Sequence, residues 1–140
     1  MLKPPAAPQP LAPASYHIDE LVGVVYLSLR GELTIELLRA ALAGVMGSPG
    51  LRRGLPFYVD CRVLTSIPTP AEIDAFAADL SSHRGAVRGK AAIVVMTRMG
   101  MDYGDMWHAV AGSMNADIEV FTSPADARAW LGLPPEPGVI

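Results

Sequence analysis

57-FYVDCRVLTSIPTPAEIDAF-76 passes from an apolar strand, through Asp60 and a polar loop, into a helix. Here 57-FYVDC-61 has the length and composition of a strand. The tetrad 69-TPAE-72 is a capping box: Thr69 is the N-cap, Pro70 presets the first helical position, and Glu72 reaches back. Ile73, Phe76, Ala77 and Leu80 then recur at helical spacing and mark the buried stripe.

Working outward, the same unit repeats. Upstream, Thr34 can cap a helix whose apolar positions are Leu38, Ala41, Leu42, Val45 and Met46, and 47-GSPG-50 ends it. Before that, 16-YHIDEL-21 and 24-VVYLSLR-30 read as two strands joined by a tight turn near Gly23. Downstream, 91-AAIVVM-96 is apolar on both faces, as a covered central strand should be. A loop from Thr97 leads to a helix near 103–115, with Asp102 as a candidate cap. The strand 118-IEVFT-122 and a second cap, 123-SPAD-126, lead to a short helix that Gly132 stops.

The expected order is ββαβαβαβα. It describes an α/β domain whose five-stranded sheet is mixed but mostly parallel, opened by an antiparallel hairpin and continued by right-handed crossovers. The domain is expected over 15–132, between a flexible Pro/Ala-rich tail (1–14) and a C-terminal tail (133–140).

Composition narrows the class. With 140 residues, 51% hydrophobic and 18% charged, and a net charge of -3, the chain suits one packed core and does not call for a nucleic-acid partner. Cys61 is the single cysteine, so no intrachain disulfide and no thiolate metal site is expected. The longest apolar run, 91–96, is too short to insert stably in a membrane, and the Pro-rich start lacks a signal-peptide core, so the expected location is cytoplasmic.

Parallel topology sorts the loops. Strand-to-helix turns share the carboxyl edge of the sheet, which gathers Asp60, Cys61, Arg62, Thr65, Ser66 and Thr69 from one loop and Thr97, Arg98, Asp102, Tyr103 and Asp105 from the next. Trp107 follows on the helix. These loops, beside helix N-termini, form the candidate interaction or ligand surface. The opposite edge gathers Arg52, Arg53, His83, Arg84, Arg88 and Lys90, enough charge for a transient acidic partner or a lipid headgroup, and solvated loop charge explains it equally well. Gly85 and Gly89 precede a strand rather than a helix, which excludes a phosphate loop.

No catalytic set emerges. Cys61 lacks a histidine at a plausible position, and Asp105 with His108 lacks a third metal ligand. No metal and no cofactor is expected.

Laid out this way, 23-GVVYLSLRGELTIELL-38, 55-LPFYVDCRVLTSIPTPAEI-73, 91-AAIVVM-96 and 119-EVFTSPADARAWL-131 resemble the STAS-like family, the fold of anti-sigma-factor antagonists and of sulphate-transporter cytoplasmic domains. The match is nearer to its bacterial STAS-like branch, likened also to CRAL-TRIO lipid-binding domains. The resemblance implies a SpoIIAA/STAS-like fold and a regulatory role without catalysis. Antagonists of the family carry a phosphorylatable Asp-Ser-Ser-Gly run, which falls here on 68-PTPA-71. Pro70 stands at the usual phosphorylated position, which leaves Thr69 as the candidate for phosphorylation.

Two functions follow as expectations. One is a non-enzymatic regulatory or protein-interaction domain with an unidentified protein partner. The other is a carrier or sensor of a small apolar or amphipathic ligand, held under 97-TRMGMDYGDMWH-108, whose glycines would permit a mobile lid. The phase Val24, Tyr26, Ser28, Arg30 with Tyr58, Asp60, Arg62 gives a polar-aromatic sheet face suited to a homodimer interface or to solvent.

Overall fold

A computed structural model describes residues 13–51, 54–81, 89–114 and 116–135. β1 (Ala14–Asp19) and β2 (Val24–Glu32) form the antiparallel hairpin, with Ala14 opposite Leu29 and Asp19 opposite Val24. Asp19 builds the turn. Its Oδ1 accepts the backbone N–H of Leu21 at 3.1 Å and of Val22 at 3.0 Å, and its carbonyl accepts Gly23 N–H at 2.8 Å. Gly23 has φ 81°, a left-handed conformation that a β-carbon would disfavour.

The chain continues through α1 (Ile35–Met46), β3 (Phe57–Ser66), α2 (Pro70–Ser81), β4 (Gly89–Val94), α3 (Arg98–Val110), a 3-10 turn (Ala111–Met114), β5 (Ala116–Phe121) and α4 (Pro124–Leu131). The strands lie in the order β1-β2-β3-β4-β5, parallel from β2 onward. The order of elements along the chain is the one the sequence predicts. Every parallel crossover moves one strand over in the same direction, so crossovers of one hand place α1, α2 and α3 on one face.

Two cores result. On the first face, Val25, Leu27, Leu29, Phe57, Val59, Ile93 and Val95 meet Leu38, Leu42, Val45, Ile73, Phe76, Leu80, Tyr103 and Trp107 from the three helices. On the second, α4 lays Ala127 and Leu131, followed by Leu133, against Val24, Tyr58, Ala92 and Val94. Each such aliphatic side chain contributes roughly 1.5–3 kcal/mol when fully buried. β4 is therefore covered on both sides, as its unbroken apolar run requires.

The caps explain the helix starts. Thr34 Oγ1 accepts from Leu37 N, Thr69 Oγ1 from Glu72 N, and Ser123 Oγ from Asp126 N, each at 3.2 Å. Glu72 returns the favour to Thr69 N–H at 3.0 Å, completing the box. Gly132, at φ 74°, closes α4: its N–H reaches Ala129 O, and Leu133 N–H reaches Arg128 O at 2.9 Å.

Four expectations need correction. The third helix starts at Arg98 under Thr97, whose Oγ1 accepts Gly100 N–H at 3.0 Å, so Asp102 is an exposed helical residue and not the cap. Thr97 is a β-branched hydroxyl in extended backbone just ahead of the helix, the geometry that favours an N-cap. The glycines of that helix provide close packing rather than mobility: a β-carbon on Gly100 would lie 2.8 Å from Cys61 O, and one on Gly104 would lie 2.9 Å from Val120 Cγ2. β3 runs on to Ser66 instead of ending at Cys61, because β2 continues to pair with it. The polar-aromatic sheet face is partly closed, since α4 covers Val24 and Tyr58.

Candidate functional site

β4 pairs with β3 as far as Asp60 and Val94, whereas β2 stays paired with β3 to Glu32 and Ser66. The two long strands thus project as a ribbon beyond the carboxyl edge of β4. The register slips between Ser28 and Arg30, which face Asp60 and Val63, so β3 holds one extra residue there. Such a bulge unpairs a backbone N–H and bends the strand.

Asp60 resolves that bulge. Its Oδ1 accepts Arg62 N–H at 3.1 Å and Arg62 Nε at 3.0 Å, while Oδ2 accepts Arg62 Nη2 at 3.0 Å. Burial raises the Asp60 pKa, but the hydrogen bonds and charge of Arg62, with the nearby charge of Arg30, outweigh it and hold the carboxyl below its ordinary value. Asp60 and Arg62 are brought together, and the pair is engaged in shaping the ribbon.

The other predicted residues separate into two groups. Thr65 and Ser66 are exposed at the ribbon's end, Thr69 is held in its capping box, and Thr97 and Arg98 open α3. Tyr103 and Trp107, by contrast, point into the first core, where Trp107 meets Phe76 edge-on at 6.1 Å. Burial pushes the Tyr103 phenol well above its usual range, the adjacent Cys61 adds to this, and a hydrogen bond with Trp107 offsets part of it. Cys61 is fully buried, and burial followed by the Asp60 charge pushes its thiol far up.

Two concavities lie near these residues. The first is an apolar cavity of about 60 Å3 between the sheet and the helices, bordered by Leu27, Leu42, Phe57, Ile93, Tyr103 and Trp107 among others. The second is a wide groove between α2 and α3. Ile67, Pro70, Met106 and Ala109 supply its apolar surface and Asp74, Asp102 and Asp105 its charge. None of these three carboxylates has an ion-pair partner among the described residues.

Ile67, Asp74 and Ala109 were not among the residues predicted for the site. The signal was present as spacing: Pro70 and Asp74 are i, i+4, and Asp102, Asp105, Met106 and Ala109 are i, i+3, i+4 and i+7, one stripe on each helix. No group of three metal-ligating side chains occurs among the described residues. His108 instead lies 3.9 Å from Glu119. Of the basic edge, Arg52, Arg53, His83, Arg84 and Arg88 lie outside the described residues. Lys90 is described, and its ammonium sits 4.7 Å from the Trp130 ring centroid while donating to Trp130 O at 3.2 Å.

A hairpin-opened parallel sheet with three helices on one face matches a solved structure. The fold is SpoIIAA-like. The crystal structure of an uncharacterized DUF3478-family protein with a SpoIIAA-like fold, from Shewanella loihica PV-4, superposes with a TM-score of 0.58 over 90% of this chain and 99% of that one, at 14% identity. At that identity the likeness establishes the SpoIIAA-like fold, the architecture that the resemblance to the STAS-like family implied. No family model matches the sequence, and no curated protein matches it. No helix among the described residues is long and apolar enough to cross a membrane.

Proposed function

We propose that the protein is a non-enzymatic regulatory or protein-interaction domain that receives a basic, amphipathic segment of a protein partner in the groove between α2 and α3. The observation that carries this reading is the groove itself, in which apolar side chains lie beside three carboxylates without cationic partners among the described residues. Apolar surface rimmed by one sign of charge favours a segment that brings both complements, and the charge also speeds encounter. The polar groups that a catalyst would use are engaged elsewhere: Asp60 holds the bulge, Thr69 and Thr97 cap helices, and the Cys61 thiol stays protonated.

The reading is tested by charge reversal. Affinity capture from a lysate of the source organism, with wild type and with Asp102→Lys/Asp105→Lys, should retain one stoichiometric partner on wild type only, eluted by salt. Equal capture by both proteins, with matched far-UV spectra, overturns it.

A second reading, a carrier or sensor of a small apolar or amphipathic ligand, is favoured by the cavity beneath Tyr103 and Trp107. Its size weighs against it, because about 60 Å3 compares with roughly 300–1,000 Å3 for pockets that enclose drug-sized ligands. Native mass spectrometry of protein purified from its source organism separates the two readings: a retained small molecule supports the carrier, and a bare polypeptide mass opposes it. The same spectrum reports subunit number and any phosphate on Thr69.

A further inference from the structure

The sheet ends in β1 on one side and β5 on the other. The phase of β1 is fixed by two bonds of β2. Arg30 N–H donates to Pro13 O at 2.8 Å, so the even-numbered residues of β2 bond toward β1, and Val25 N–H donates to Pro56 O at 2.9 Å, so the odd-numbered ones bond toward β3. Opposite the even-numbered residues stand Ser15, His17 and Asp19. Ala14, Tyr16 and Ile18 therefore turn their N–H and C=O groups away from β2, along an edge that no further strand among the described residues covers. Natural sheets blunt such an edge with lysine, an internal proline or a bulge. The stretch 14-ASYHID-19 has none of them, and its register runs unbroken from Ala14 to Asp19.

The side chains of the same three residues face α1, because they stand opposite Leu29, Leu27 and Val25 of the first core. Ala14 and Ile18 are half-buried there, and Tyr16, 43% exposed, lies against Gly44. Gly44 thus marks the β1 side of α1, where helical spacing also places Leu37 and Ala40. Arg39 turns to the other side and pairs with Asp79 at 2.7 Å, which leaves the exposed Glu36 as the one other ionised side chain of the helix. The open edge is bordered by an apolar row.

We propose that β1 pairs antiparallel with β1 of a second copy of this chain, so that one sheet runs through a two-fold dimer. The register that joins all three outward residues of each copy sets Tyr16 opposite its own counterpart and Ala14 opposite Ile18. Ser15 then stands opposite His17, and no like charges meet. Asp19, whose carboxylate already accepts the Leu21 and Val22 N–H groups, falls opposite Pro13, which lacks an N–H and ends the ladder. The same operation on β5 would bring Asp117 and Glu119 of two copies together, so that edge is guarded against self-pairing. The chain's own residues 1–12 are a poor alternative strand, since Pro4, Pro5, Pro8 and Pro10 cannot donate to a ladder. The inference does not depend on the groove between α2 and α3.

The test is sedimentation velocity of the full chain from about 5 μM to about 500 μM, a range suited to the weak association of a small interface. The chain should pass from monomer to dimer. Tyr16→Pro removes an outward N–H and leaves the bonds of β1 to β2, so it should weaken the dimer about tenfold or more with an unchanged far-UV spectrum. Tyr16→Lys keeps the N–H but sets two ammonium groups face to face, and should weaken it about fivefold or more. Asp117→Asn, on the other edge, should leave it unchanged. Air oxidation checks the register: Tyr16→Cys should form a disulfide-linked dimer, whereas Ser15→Cys, whose counterpart lies diagonally about 8 Å away, should not. The proposal is overturned by a monomer at about 500 μM, by a dimer that both Tyr16→Pro and Tyr16→Lys leave intact, or by equal cross-linking from the two cysteine variants. Should Tyr16→Pro fail to fold, Tyr16→Lys decides.

Discussion

Asp60 holds Arg62, two residues along the same strand, by three hydrogen bonds of 3.0–3.1 Å: two to the guanidinium and one to the backbone N–H beside the β3 bulge. A carboxylate in a sequence-predicted site thus serves first to terminate regular pairing and bend the ribbon. Its folded pKa lies below the ordinary aspartate value, so between the two values the unfolded chain binds more protons and stability rises with pH. The contribution is complete above the unfolded pKa, about 3.9, and is lost as pH falls through the folded one. Urea unfolding of wild type and Asp60→Asn should show the variant less stable at pH 7 and the gap narrowing well below pH 4. A gap that is equal at both pH values would contradict the assignment.

Cys61 should be inert in the native state. Burial and the Asp60 charge keep the thiol protonated at all ordinary pH values, and no path reaches its sulfur. A thiol-specific colour reagent at pH 8 should label the folded protein only at the rate of opening and label urea-unfolded protein at once. Rapid labelling of the folded chain would show that α3 does not seal this part of the ribbon.

Gly100 and Gly44 should respond oppositely to alanine. At Gly100 the new methyl would meet the Cys61 carbonyl oxygen, held in β3, at 2.8 Å and Cβ of Val95, whose N–H is bonded to Phe121 O just past β4, at 3.2 Å, and the expected cost is about 1–3 kcal/mol. At Gly44 it would meet the ring of Tyr16, 43% exposed and able to swing aside, while helix propensity improves by about 1 kcal/mol. Thermal unfolding should place Gly100→Ala well below wild type and Gly44→Ala near it.

The capping box is a direct test of the stretch that decides the fold. Thr69→Ala removes the acceptor of Glu72 N–H and should destabilise by about 0.5–2 kcal/mol, with loss of helix signal confined to the α2 start. Hydrogen exchange at residues 71–73 reports that fraying.

Much of the fold was legible because its signals are local. The boxes at Thr69 and Ser123, the stripe Leu38, Ala41, Leu42, Val45, and the doubly apolar 91–96 each imply their element without reference to the rest of the chain. The errors arose where distant strands decide. β3 continues past Cys61 because β2 offers it a partner, and no pattern within 62-RVLTS-66 announces that pairing. The start of α3 was missed because 97-TRMGMD-102 contains a glycine, and only contact with Cys61 O and Val95 shows why a glycine belongs there. The candidate site was half legible. Asp60, Arg62, Thr97 and Asp102 do gather at one edge, but the groove needed the side-by-side placement of α2 and α3.

The central claim, that α2 and α3 receive a protein partner between them, is tested most directly by position-specific photo-crosslinking in living cells of the source organism. A photoreactive phenylalanine at Ala109, within the groove, is compared with one at Ala129, exposed on α4 across the sheet. The account predicts one dominant protein adduct from Ala109, suppressed when Asp102 and Asp105 are replaced by lysine, and no such adduct from Ala129. Absence of an adduct at Ala109, or the same adduct from both positions, would contradict it.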